Sequence, residues 1–358
     1  YTTMLYRALR ERGHDVLMVS FKRQYPQWLY PGQNDKDPSK KPLVVEDAKY
    51  WIDSLNPITW LITFWRIRAY RPDLLILPWW TTFWALTWIV LGALYRASLR
   101  KPLVYICHNV LPHELRWWDR WLTRWVLGWG TEFIVQSREE QEQLMHLLPE
   151  ATPKVVPHPI YDMFGRELIS QDEARRLLGL PLSADILLFF GIVRKYKGLT
   201  CLLAALPAIK DQLPNALLVV AGEFWEDRQA YLAMIEELGI GDVVVVHDRY
   251  IPNEEVPLFF SAANVVVLPY VQATQSGVVQ LALGCSRPVI TTAVGGLPEL
   301  VHDGENGLLV PPGDSGALSS AVIRYFSQGL EEMMKANLEE RNSVVPWTTL
   351  LDAIVKTL

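Results

Sequence analysis

Cysteine is scarce: three residues in 358, at positions 107, 201 and 285. That is too few and too scattered for a disulfide framework or a structural zinc site, and it points to a reducing compartment. No secretory leader is recognisable at the start. Charge of neither sign dominates; the net charge of −5 excludes the basic footprint of a general nucleic-acid binder. An uncharged stretch at residues 74–95 is long enough to reach across a bilayer. Pro78 and the polar-aromatic residues 79–82 interrupt it, so it reads as a buried strand followed by a buried helix. A hydrophobic share of 50% excludes disordered and fibrous classes, and the length allows two or three domains.

What is present is unevenly spread. Up to Gly165 there are 20 Lys and Arg against 16 Asp and Glu, and 13 of the 15 Trp. The remainder is acidic and keeps only Trp225 and Trp347. A basic, Trp-rich half suits either a membrane interface or an aromatic core. The same two readings attach to residues 115–129, expected as one helix. There Arg116, Arg120 and Arg124 recur every four residues beside Trp117, Trp121 and Trp125.

Short apolar runs alternate with helix-length segments. Strands are expected at 15–20, 74–77, 103–107, 133–135, 154–156, 186–190, 216–221, 243–247, 264–268 and 288–292. The alternation pauses near 157–171 and restarts, which predicts an α/β fold of two doubly wound domains with parallel sheets. Helices are expected at residues 1–13 and at 346–358, the latter closing the chain.

Three segments carry chemistry. After the strand ending near Gly191, a loop holds Arg194, Lys195 and Lys197, and Gly198 opens a helix; cations at a helix start attract phosphate. After the strand ending near Pro269, the loop delivers Thr274, Gln275, Ser276 and Gly277 to another helix start, a second anion site. Gly295-Gly296, in the third segment, suits close approach of backbone to a ligand. In the first half, His108 stands at a strand end, and His113-Glu114 follow within reach of the same loop. His158 reads as structural.

These segments, in this order, resemble the nucleotide-binding domain of family-4 glycosyltransferases. The likeness is carried by Gly191…Lys197-Gly198 and by GGLPELVHDGENGLLVPPGD from Gly295. It extends through RGHDV at 12–16 and CHNVLPHE at 107–114. It implies the GT-B fold, two Rossmann-like doubly wound domains facing across a cleft. The domains would be an acceptor-binding domain at 1–163, a donor-binding domain at 164–344, and a final helix at 345–358 returning to the first. The family's opening strand and Gly-rich loop would precede Tyr1 and be missing from this sequence.

The implied activity is transfer of a sugar, with retention of configuration, from a nucleotide-diphosphate donor to a sugar or lipid-linked acceptor. No metal or other cofactor would be used, and no nucleic acid bound. Polysaccharide or glycolipid biosynthesis would be the setting. The place would be the cytoplasm, with peripheral contact at the inner membrane face through helix 115–129. The resemblance makes His108, His113 and Glu114 the catalytic candidates. It makes Gly191, Arg194, Lys197, Thr274, Gln275, Ser276, Gly277 and Gln280 the donor contacts. The family's Glu-x7-Glu pair would fall at Ala273 and Leu281, so neutral groups and backbone N–H must replace it, with Gln280 toward the ribose. Two alternatives stay open: a nucleotide-sugar epimerase of the same fold, and a catalytically silent nucleotide-sugar-binding protein.

Overall fold

The computed structural model describes residues 1–26, 37–40, 42–112, 115–161, 163–341 and 347–356. Two units emerge: Tyr1–Asp35, Leu43–His158 and Val345–Leu358 form the first, Lys36–Pro42 and Pro159–Val344 the second.

In the first unit, β1 (Val19–Arg23) pairs in parallel with β2 (Lys49–Asp53). A separate parallel sheet has the order β3 (Leu75–Trp79), β4 (Leu103–Cys107), β5 (Glu132–Val135), β6 (Lys154–Val155). Alternation along β4 sorts the core. Leu103, Tyr105 and Cys107 face Trp60, Phe64, Trp84, Trp88 and Val126 from helices on one side. Val104 and Ile106 face Leu5 and Leu9 of helix Thr2–Glu11 and Leu350, Leu351 and Ile354 of helix Trp347–Val355. Much of the Trp excess is therefore core, with Trp79 and Trp84 almost fully enclosed. The uncharged stretch divides, as expected, into β3 and helix Ala85–Leu99. Thr82–Leu99 is long and apolar enough to cross a membrane by length and composition, yet Trp88, Leu91 and Tyr95 pack inward.

Two elements start about four residues later than expected. The strand expected at 15–20 begins only at Val19; residues 14–18 line, together with residues of β3, a cavity of about 580 Å³. The helix expected over 115–129 spans Asp119–Leu127. The Asp119 carboxylate accepts from the Arg116 N–H at 2.7 Å and from Thr82 Oγ1 at 2.6 Å, holding the preceding residues outside the helix.

The second unit is one six-stranded parallel sheet in the order β12-β11-β10-β7-β8-β9. Its strands are β7 (Asp185–Phe190), β8 (Ala216–Ala221), β9 (Val244–His247), β10 (Val265–Leu268), β11 (Val289–Thr292) and β12 (Gly307–Val310). Near-continuous apolar runs suit strands covered on both faces. Leu202, Leu206, Leu318 and Val322 cover one side, and Phe259, Phe260, Val279 and Leu283 the other. The order reverses between β7 and β10, where open α/β sheets leave a crevice beyond the strand ends.

Asn264, just before β10, ties this unit together. Its Oδ1 accepts from the Ile186 N–H and from Arg175 Nη2, both at 2.8 Å, while its Nδ2 donates to Glu331 Oε2 at 2.8 Å. Asn264→Ala removes an acceptor from Nη2 of the buried Arg175 guanidinium, which keeps the Ala262 and Leu182 carbonyls, and leaves the Ile186 strand N–H without its partner. Urea unfolding of the variant is expected to show a loss of roughly 2–4 kcal/mol.

Candidate functional site

At the crevice of the second unit, two loops interlock through backbone. The loop after β7 runs from Gly191 through a single 3-10 turn, Lys195–Lys197, to helix Leu199–Gln212. The loop after β10 leads to helix Gly277–Gly284. Val271 N–H donates to Tyr196 O at 2.7 Å, and the Tyr196 and Tyr270 rings stack at 6.2 Å. Gly198 has φ +73°, and a Cβ there would lie 1.9 Å from Pro269 O. Glycine is obligatory at this position because backbone meets backbone. Gly295 is similar: with φ +51°, its Cβ would lie 1.8 Å from Ala273 O. The expectation that Gly295 makes room for a ligand is thus corrected; it makes room for the 273–274 backbone, and Gly296 N–H donates to Thr274 O at 2.9 Å.

Lys197 is buried, at 7% exposure. A Cβ on Gly191 would meet both Lys197 Nζ, at 2.9 Å, and Val278 Cγ2, at 3.2 Å. Gly191 therefore lets the ammonium settle beside the first turn of helix Gly277–Gly284. Burial, and then the like charge of Arg194, push the Lys197 pKa down to about 8. Arg194 is half-buried, its guanidinium 5.6 Å from the centre of the Trp225 ring. Among the described residues neither cation has an ion-pair partner. Two adjacent cations with no anion, one of them desolvated, form a site that is electrostatically incomplete.

The second loop supplies neutral groups. Ser276 is the N-cap: its Oγ accepts from Val279 N–H at 3.2 Å and bonds the Tyr270 hydroxyl at 2.7 Å. Its hydroxyl is thereby committed to structure, while the first-turn N–H groups at Ser276 and Gly277 lie where a helix leaves donors open. Thr274 and Gln275 are half-buried beside them. Gln280, one turn on, is fully buried, and among the described residues neither its Oε1 nor its Nε2 has a partner. Ala273 and Leu281 are both buried apolar residues.

In the first unit, His108 follows β4, its N–H donating to Trp79 O at 2.8 Å. The Gln136 Nε2 lies 3.0 Å from its Nδ1; with that amide donating, the ring proton sits on Nε2. Burial, then the charge of His158, holds the His108 pKa well below the usual imidazole range. The imidazole is a neutral hydrogen-bond donor. The Tyr1 ring meets it edge-on at 4.4 Å, and buried His158 lies within the same aromatic group. His113 and Glu114 lie outside the described residues.

Sequence reasoning missed Gln136 and Glu140. Glu140 is fully buried, and its Oε2 accepts from Val110 N–H at 2.8 Å in the loop after β4. Burial raises its pKa to about 8. The only sequence signal was the pattern Ser137-x-x-Glu140, a capping box; Ser137 does cap helix Arg138–Leu147, but the carboxyl is spent on the neighbouring loop. Among the described residues no three His, Cys, Asp or Glu group as metal ligands.

Comparison with known proteins follows the same division. The family described as "Glycosyl transferases group 1" matches residues 184–328, and "Glycosyl transferase 4-like domain" matches 1–159. D-inositol 3-phosphate glycosyltransferase 1 of Catenulispora acidiphila is 35% identical over 200 residues, 53% of this chain and 47% of that protein. The chain spans about half the length of the curated relatives it matches. Among solved structures, sucrose-phosphate synthase of Thermosynechococcus elongatus superposes with a TM-score of 0.72 at 22% identity, over 99% of this chain and 90% of that one. Anabaena HepE in complex with UDP-glucose gives 0.69 at 20%, over 84% and 81%. These likenesses establish the GT-B fold of two Rossmann-like domains.

Three outcomes are expected. Binding of a diphosphate diester, followed by calorimetry, should be flat below pH 7 and weaken about tenfold per pH unit above pH 8, because the bound anion holds the proton that free Lys197 loses. Lys197→Met should abolish that binding while stabilising the anion-free protein at pH 7 by on the order of 3 kcal/mol, the cost of the buried charge. Glu140 has a folded pKa above its unfolded value, so its contribution fades as pH rises from about 4.5 to about 8. Glu140→Gln, which keeps the acceptor for Val110, should flatten the thermal-unfolding profile over that window.

Proposed function

The chain belongs to the group 1 glycosyltransferases, and from that premise we propose that it moves a sugar from a nucleoside-diphosphate donor to an acceptor hydroxyl, retaining anomeric configuration. The observation that carries this is the unpaired, buried Lys197 beside Arg194 at the sheet reversal of the second unit. The bond between anomeric carbon and β-phosphate breaks with negative charge growing on the phosphate. Cations and helix N–H groups fixed in a desolvated site stabilise that charge without reorganising. Arg194, Lys197 and the N–H groups of Ser276 and Gly277 take this role in our reading, with Gly191 allowing close approach. Thr274 and Gln275 contact the donor beside them, and the unpaired amide of Gln280 serves the ribose hydroxyls.

The donor class is supported by HepE, a fold neighbour whose structure holds UDP-glucose. No metal is used in this scheme, since the two side-chain cations supply the positive charge. The first unit binds the acceptor. His108, neutral and protonated on Nε2, donates a hydrogen bond to a sugar hydroxyl, and His113 with Glu114 are the second candidates for positioning or proton transfer. The acceptor is a sugar or lipid-linked sugar at the cytoplasmic membrane face, in polysaccharide or glycolipid synthesis.

The test is turnover against UDP-glucose and a panel of other nucleotide sugars, with and without lipid-linked acceptors. UDP release that requires acceptor, an α-donor giving an α-product by NMR, insensitivity to chelator, and loss of product in Lys197→Ala are expected. Donor conversion without acceptor would establish the epimerase instead, and donor binding without turnover a silent binding protein.

A further inference from the structure

Helices Pro57–Tyr70, Ala85–Leu99 and Asp119–Leu127 lie side by side in one layer over the sheet of the first unit. Each buries one face in the Trp-rich core, but their outer faces are not polar. Ile58, Leu61, Ile62 and Trp65 are exposed on the first helix and Leu86 on the second. Trp121 and Trp125 are exposed on the third, with Trp117 at 88% exposure in the turn before it. Isolated exposed apolar residues are ordinary, but a run across three packed helices is not.

The charge around this surface has one sign. The first two helices contain no Asp or Glu, and the third contains only Asp119, which is buried and held by Thr82. Arg66, Arg68, Arg116, Arg120 and Arg124 are all exposed. Among the described residues none of them is in an ion pair. Three stack on Trp instead: Arg66 on Trp51 at 4.7 Å, Arg68 on Trp65 at 5.3 Å and Arg116 on Trp118 at 5.5 Å.

We infer that this three-helix layer is a docking face for an anionic phospholipid surface, with Ile58, Leu61, Ile62, Trp65, Trp121 and Trp125 entering the interface. The occupant follows from the charge. In a two-fold contact between copies, these arginines would oppose arginines with no carboxylate to pair them. A leaflet of anionic headgroups pairs every one, and indole rings prefer the headgroup level. The inference deepens the lipid-linked acceptor reading above: the first helix, Pro57–Tyr70, becomes part of the surface, which residues 115–129 alone did not reveal. A face bound flat to the membrane presents the first unit to acceptors embedded there.

The test is co-sedimentation of the whole chain with vesicles of phosphatidylcholine, alone and mixed with phosphatidylglycerol, at low and high salt. The chain should pellet with the anionic vesicles and dissociate as salt rises. The double variants Ile62→Glu/Trp65→Glu and Trp121→Glu/Trp125→Glu should each lower the bound fraction roughly tenfold or more. All four residues are exposed, and unchanged far-ultraviolet dichroism and melting temperature confirm folding. Undiminished binding of the first double variant overturns the three-helix surface, as does absence of vesicle binding. So does a self-associated species that the same substitutions disperse. UDP affinity measured on the same samples separates the two readings: it should be unchanged in both variants, and its absence in the parent chain counts against the donor site, not against this face.

Discussion

The contact on which the second unit's chemistry depends is backbone against backbone, where Gly198 meets the carbonyl of Pro269. β7 and β10 are neighbours although two strands separate them in sequence, so their loops leave the sheet at one place. Only a residue without Cβ lets the two chains touch there. Once they do, Tyr196 and Tyr270 stack, Ser276 caps its helix through the Tyr270 hydroxyl, and Lys197 is pressed against Gly191 with water excluded. The desolvated cation is thus a product of sheet order and glycine placement more than of any local basic motif.

Much of this was legible in the sequence. The parallel-sheet class, the division near residue 160, the two helix-start loops and the cationic character of residues 191–198 all follow from apolar runs, breakers and charge. What was not legible depends on tertiary partners. β2 was overlooked because its five residues bury only Ile52 and carry no apolar run. Glu140 reads as an ordinary capping residue until Val110 is seen to donate to it. Asn264 gives no local sign that it joins Arg175, Ile186 and Glu331. Nor does the sequence show that the Ser276 hydroxyl is engaged by the Tyr270 hydroxyl and the Val279 N–H.

The two units handle charge in opposite ways. At the strand ends of the first, burial keeps His108 without a proton to spare and Glu140 with one, so both are neutral near pH 7. In the second, burial weakens Lys197 without neutralising it at that pH. Under the proposed function, hydrogen bonds and shape select the ligand of the first unit, and field that of the second. The overall acidity of the second half says nothing against this, because a few desolvated charges outweigh many solvated ones.

The cavity lined by residues 14–18 and β3 also bears on how the first unit is held together. Among the described residues β1 pairs only with β2, and β3 only with β4. The small ribbon is thus fastened by side chains, with Phe21 against Trp84 and Trp88, and by hydrogen bonds that include Trp84 Nε1 to Gln24 O and Trp60 Nε1 to Asp53 O. Among the described residues the two sheets of the first unit are therefore joined through one shared side-chain core and not through a common ladder.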